Sequence, residues 1–194
     1  MKTLIMKKYY LQIIAILSAL VLTGCVAAFV AGASAGGLIV SDQRNFAARE
    51  DDSYIRHRLE LNIIQDPQFK ESHIELSSFN REVLLVGETP DASLKIMAEK
   101  IAQSTPDVTK VYNEITIQQP ISFGQRSQDV WITSAVKSVL LVKPGLRSGS
   151  IKVITENNTV FLMGLVTEAQ AKLAVEATRR VDGVQRVVKV FEYL

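Results

Sequence analysis

Cysteine is nearly missing from this chain of 194 residues: there is one, Cys25. A lone thiol excludes a disulfide framework and any cysteine-rich metal site. Histidine is almost as scarce, with His57 on a predicted helix and His73 just before a predicted strand. Neither belongs to an HxxxH-type spacing, so no zinc or iron site can be assembled, and both read as solvated residues. No GxSxG elbow occurs, and the glycines within 32–37 and 145–149 lack the Lys-Ser/Thr ending of a phosphate-binding loop. The paired acids Asp51-Asp52 fall at a helix N-terminus, where the macrodipole accounts for them without catalysis. No enzyme, cofactor or metal is expected.

A charge excess is missing too. Lys2, Lys7 and Lys8 precede a cleavage site, and all the acids follow it; removing them leaves 19 Lys+Arg against 20 Asp+Glu, a formal −1. No globally basic surface exists to coat nucleic acid, and an anionic ligand must be held by a local patch.

The N-terminus reads as an export signal over residues 1–24. Three lysines form a positive start, and Tyr9 to Leu22 supply the apolar stretch, shorter than the ~20 residues of a membrane span. It ends in Leu22-Thr23-Gly24-Cys25, which resembles the lipobox of bacterial lipoprotein precursors, so Cys25 is the expected lipid attachment site. The alternative is a signal anchor running on through Val26–Val40. Residues 25–46, glycine-rich after the cysteine, read as an acylated flexible tether. Val26 follows the cysteine where an aspartate would signal retention; the resemblance implies export to the outer membrane, with the protein facing the periplasm.

Laid on itself with a shift of 77, the chain pairs Asp52 with Asp129, Ile55 with Ile132, Pro67 with Pro144, Asn80 with Asn157, Val83 with Val160 and Gly87 with Gly164. After one deletion the register resumes as Val108 with Val184. Each copy opens with an amphipathic helix (Tyr54, Ile55, Leu59, Ile63; Trp131, Ile132, Val136, Leu140). A proline turn follows, then a hairpin reversing at Asn80-Arg81 or Asn157-Asn158, where asparagine tolerates positive φ. The second hairpin strand, Glu82–Glu88 or Thr159–Leu165, is apolar nearly throughout, which suits a strand that is central or covered on both faces. A second helix starts at Thr89-Pro90-Asp91 or at the Thr167/Gln170 capping box. Strands over 110–117 and 185–193 close each copy as αββαβ. At ~70 residues each, the copies have small cores, and mutual packing is expected.

The tandem of αββαβ units with a VxLxG strand (Val83–Gly87; Val160–Gly164) resembles two BON domains. With VYNEI (111–115), QPI (119–121), DVWIT (129–133) and TENNTVFLMGLVTE (156–168) behind a lipobox, the chain is similar to dual-BON outer-membrane lipoproteins linked to cell division and envelope stress. The resemblance implies an α+β fold of two modules, each a small mixed three-stranded sheet with two helices, at 47–119 and 127–194 with a linker at 120–126. It also implies binding of anionic phospholipid, notably phosphatidylglycerol, through the first helix of the second module, and gathering at the division site.

The residues of that helix bear on this. From Trp131, at about 100° per residue, Trp131, Val142, Ala135, Val139, Ile132, Val136 and Leu140 form an unbroken apolar arc, with Leu141 outside it and Lys137 on the other side. In the first module Arg58 and Asn62 interrupt the matching face. The expected phospholipid-binding residues are Trp131, Ile132, Val136, Lys137, Leu140 and Leu141, with Arg126 and Arg147 flanking them. A wide apolar helix can equally pack against a neighbouring module, and a division with Ile132, Val136 and Val139 inside and Trp131, Leu140 and Leu141 outside is open. The alternative function is a periplasmic adaptor for outer-membrane assembly or peptidoglycan-amidase activation proteins, engaged through surface residues such as Phe79 or Arg81.

Overall fold

A computed structural model describes residues 46–194. The expected export segment, Cys25 and all of the expected tether but Phe46 lie outside the described residues.

The first module begins with α1 (Phe46–Leu59), continued by a wider π-type turn over Glu60–Ile64. This helix buries Ile55, Leu59 and Ile63 along one stripe. Asp66 accepts a bond from the backbone N–H of Gln68 at 2.8 Å and stops the chain in a short turn, Pro67–Phe69. Then come β1 (His73–Phe79), β2 (Glu82–Thr89), α2 (Ala92–Ser104), β3 (Lys110–Asn113) and β4 (Thr116–Ile117). β1 and β2 are antiparallel, and β3 and β4 both run parallel to β2. The strand expected over 110–117 is broken because Asn113 folds back: its Oδ1 accepts from the N–H of Ile115, and its amide donates to the Lys95 carbonyl. Ile115 is thereby turned into the core.

The second module repeats the plan: α3 (Phe123–Val142), a turn at Ser148–Ser150, β5 (Ile151–Glu156), β6 (Thr159–Val166), α4 (Glu168–Thr178) and β7 (Arg186–Tyr193). Its sheet order is β5-β6-β7, antiparallel then parallel. Three boundaries differ from expectation. α2 is capped by Asp91, which accepts from the N–H of Ser93 at 2.8 Å, and not by Thr89, which stays in β2. α3 starts inside the expected linker 120–126, because Ser122 caps it by accepting from the N–H of Gln125. Phe46, at the end of the expected tether, already belongs to α1.

Both hairpins reverse through two consecutive residues with positive φ, Asn80-Arg81 and Asn157-Asn158. This is the tight turn whose twist matches that of the flanking strands. Each turn is held from the side by the first helix of its module. Asp52 accepts from the N–H groups of Asn80 and Arg81, both at 2.9 Å; Asp129 accepts from those of Asn157 and Asn158, again at 2.9 Å. The macrodipole therefore does not account for Asp51-Asp52: Asp52 is a buried turn clamp, and Asp51 pairs with the Arg81 guanidinium at 2.7 Å. The glycine of each VxLxG strand is fixed by space. A Cβ on Gly87 would stand against the His73 carbonyl, and one on Gly164 against the Ser150 carbonyl.

β2 is apolar between its polar ends, and β6 after Thr159, because each is central and covered on both faces. Val83 and Leu85 face α1 and α2, and Val160 and Leu162 face α3 and α4. The alternate residues Leu84, Val86, Phe161 and Met163 join Phe79, Ile154 and Val190 in one cluster shared by both modules. The sheets thus pack back to back with helices outside, and the expected mutual packing of the modules is found. Phe79 is correspondingly buried and not a surface residue. His73 is only partly exposed and faces the second module, contacting Arg126 at 3.5 Å and Glu156 at 3.7 Å, whereas His57 is solvated as expected.

Candidate functional site

α3 divides sharply by face. Ile132, Val136 and Leu140 are 0%, 0% and 2% exposed and pack with Val160, Leu162 and Ala174 in the core of the second module. They are removed from the expected binding set, because a side chain locked in a core has no surface to offer a membrane. Trp131, at 55% exposure, points out, and with it Phe123, Val130, Val139, Leu141 and Val142. At about 100° per residue the outward apolar residues occupy roughly half the circumference. The expected arc ran from Trp131 through Ile132 to Leu140. Half of it is core, and the outward face instead extends the other way, through Leu141, Phe123 and Val130.

The serines on that face are modified by their bonding. Ser127 donates to the Phe123 carbonyl at 3.0 Å, Ser134 to the Val130 carbonyl at 3.0 Å and Ser138 to the Ser134 carbonyl at 2.9 Å. Each hydroxyl proton is spent on the helix's own backbone, so these serines cost less to desolvate than free hydroxyls. Lys137 is exposed at the margin of the face, next to Val130 and Leu141 on the helical wheel. Beside it a groove of about 440 Å³ is lined by Glu75, Arg126, Thr133 and Ser134 among others. Burial raises the Glu75 carboxyl above its ordinary value, and the Lys137 ammonium partly opposes the rise. Among the described residues no helix is long and apolar enough to cross a membrane.

The opening helix of the first module exposes fewer large apolar side chains, Tyr54 and, in its π-type continuation, Leu61 and Ile64. Tyr54 is exposed but is stacked by Arg58, whose guanidinium carbon lies 4.6 Å from the ring centre.

The BON domain model matches residues 51–119 and 128–194. The chain is 38% identical over 174 residues to the outer membrane lipoprotein DolP of Haemophilus influenzae, covering 89% of this chain and 90% of the relative. It is 40% identical over 154 residues to the 21 kDa hemolysin of Actinobacillus pleuropneumoniae, covering 79% of each. Osmotically-inducible protein Y of Escherichia coli is 27% identical over 157 residues, 79% of this chain and 78% of that one.

The chain belongs to the BON-domain family.

It is an envelope-associated lipoprotein carrying two BON domains. The matched stretches begin within α1 and α3, so both opening helices extend five residues upstream of the BON match. In the second BON domain that extension brings Phe123 and Ser127 to the outward face. Sequence reasoning missed Phe123 because it lay in the expected linker, and missed Val130 because it fell outside the apolar arc. The signal for Phe123 was Ser122, a good N-cap residue. Of the residues expected to bind lipid, Trp131, Lys137 and Leu141 share one exposed surface. Cys25 lies outside the described residues.

Proposed function

We propose that this protein is a lipid-anchored component of the outer membrane, facing the periplasm, whose second BON domain docks on anionic phospholipid through the outward face of α3. Trp131 carries the reading. A half-exposed indole sits among Phe123, Val130, Leu141 and Val142, on a face whose serine hydroxyls are already hydrogen-bonded. An indole flanked by apolar side chains and basic residues suits the depth of lipid headgroups. Withdrawing a large apolar side chain from water contributes about 1.5–3 kcal/mol when complete, and Lys137 adds about 1 kcal/mol near an anionic surface. Such a face inserts shallowly and reversibly, so it can select where a tethered protein gathers, including the phosphatidylglycerol-containing membrane of the division site.

The test is sedimentation of residues 26–194, which lack the acylated cysteine, with vesicles containing or lacking phosphatidylglycerol. Binding to the anionic vesicles that is lost in Trp131→Glu, with the fold intact by circular dichroism, is the expected outcome. Full binding by that variant would refute it.

A protein partner from outer-membrane assembly or amidase activation is a second proposal. It is supported by the exposed Tyr54, Leu61 and Ile64 along the opening helix of the first BON domain. Phe79 has no part in it.

A further inference from the structure

The shift of 77 that relates the two BON domains also relates the two ends of the surface between them. Phe79 corresponds to Glu156, and Leu165 corresponds to Glu88. At one end Phe79 and Leu165 belong to the shared apolar cluster. At the equivalent other end stand two carboxyls, Glu88 and Glu156, 0% and 7% exposed and contributed by different domains. An apolar pair fills this position once, so packing alone does not require the acids.

Their surroundings do not neutralise them. Glu88 Oε2 accepts a long bond from the Ile121 N–H at 3.4 Å, the Gln118 side chain also donates to the Glu88 carboxyl, and Glu156 Oε2 lies 3.7 Å from the His73 Nε2. Both Oε1 atoms are buried without a donor, and the partner carboxyl is within hydrogen-bonding reach of each. The charged groups facing the pair are Glu75 and His73 on β1 and Asp129, Arg126 and Lys137 on α3. His73 is held below its ordinary value by burial and by the Arg126 charge, and is neutral above about pH 6.5. Asp129 is committed to the Asn157-Asn158 turn. Two buried carboxylates that face each other cannot both ionise without losing the contact, so one must hold a proton.

We propose that Glu88 and Glu156 form a proton-dependent latch between the two BON domains, closed while the pair shares a proton and opened with its release. Asn80 to Glu192 and Lys152 to the Ser78 carbonyl, both at 2.6 Å, bridge the domains at the opposite end. Burial and the nearby acids push Glu156 up to about 8, so the closed form keeps its proton through neutral pH. The separated carboxyls release theirs near the ordinary 4.5, and opening therefore liberates one proton over the interval between.

The test uses the full acylated chain in detergent, in which Cys25 is blocked by lipid and an introduced thiol is the only reactive one. Met163→Cys places it in the shared cluster, and Leu162→Cys places it in the second domain's own core. Thiol labelling is measured from pH 6.5 to 8 and normalised to a free peptide thiol. Expected is a rise in Met163→Cys labelling of about tenfold per pH unit, with Leu162→Cys unchanged. Adding Glu88→Leu with Glu156→Phe, the apolar pair of the other end, should abolish the rise. Glu88→Gln with Glu156→Gln gives the same readout should the larger change fail to fold. A flat profile for Met163→Cys, an equal rise at Leu162→Cys, or a rise that persists in the glutamine pair would each overturn the latch.

Discussion

Asp129 Oδ1 accepts the backbone N–H of Asn158 at 2.9 Å, across 29 residues of chain, and Asp52 Oδ1 does the same for Arg81 at the same distance. In both domains one carboxylate on the opening helix satisfies the two N–H groups of a left-handed turn, whose own geometry leaves them pointing away from the strands. A helix, a hairpin and the sheet they pack on are thereby fixed to one another before the rest of the core is counted.

Removing the clamp should therefore cost more than a surface acid does. Asp129→Ala leaves two turn N–H groups without their acceptor beside a buried helix face. A loss of about 2–4 kcal/mol in urea unfolding is expected, with a similar loss for Asp52→Ala. Asp51→Ala, which removes only the exposed pair with Arg81, should cost under about 1 kcal/mol in the same measurement.

The glycines of the two VxLxG strands make a second stability prediction. Gly164→Ala drives a methyl into the Ser150 carbonyl, and Gly87→Ala does so into the His73 carbonyl at a φ of +119°. Neither obstacle is a flexible side chain, so the strands themselves must part. Each substitution should destabilise by about 2–4 kcal/mol, read as a fall in melting temperature, whereas Gly124→Ala, whose Cβ would make only an ordinary contact with the Ser122 hydroxyl, should stabilise slightly.

The repeat, the hairpins and the central strands were legible because their signals are local. An Asn-Asn pair between alternating apolar residues allows few conformations, and a seven-residue apolar strand has nowhere to go but between two layers. What escaped depends on partners distant in sequence. The role of Asp52 requires knowing that residue 80 returns to it. The division of α3 into Ile132, Val136 and Leu140 inside and Phe123, Val130 and Trp131 outside depends on which side the sheet lies. Helical periodicity gives an apolar arc but not its buried edge, and so the expected face was rotated by about a quarter turn. The Glu88–Glu156 pair left no local trace, since each acid ends an apolar strand as if it faced water.

The buried pair predicts the pH dependence of overall stability. The Glu156 carboxyl stands at about 8 in the folded protein and near 4.5 when exposed, a raised value. A group shifted in this direction stabilises fully below the lower figure, and its contribution is lost as pH climbs toward the higher one. His73, shifted down by burial and Arg126, opposes this on the acid side, below about pH 6.5. Urea midpoints should thus fall between pH 6.5 and 8 and level off beyond. Glu156→Gln should flatten the fall and be the more stable form at pH 8; a midpoint that rises over this interval would contradict the assignment.

Docking on lipid should follow the outward face of α3 and not the apolar arc apparent in the sequence. Phe123→Glu and Val142→Glu alter only exposed positions, yet each places a charge where the membrane must meet the helix. Each should weaken binding to phosphatidylglycerol vesicles at least about tenfold, the equivalent of 1.4 kcal/mol and less than one fully buried apolar side chain contributes. Lys137→Ala should lower affinity about fivefold at low salt and much less at high salt, where its charge is screened. Replacing Ser127, Ser134 and Ser138 together by alanine should leave binding unchanged or slightly stronger, because their hydroxyls already bond to the helix backbone. Vesicle titrations monitored by the fluorescence of Trp131 would compare all but the tryptophan variant directly. Should the triple alanine protein bind several-fold more weakly, the serines would be contacting headgroups themselves, and the insertion geometry argued from their hydrogen bonds would be wrong.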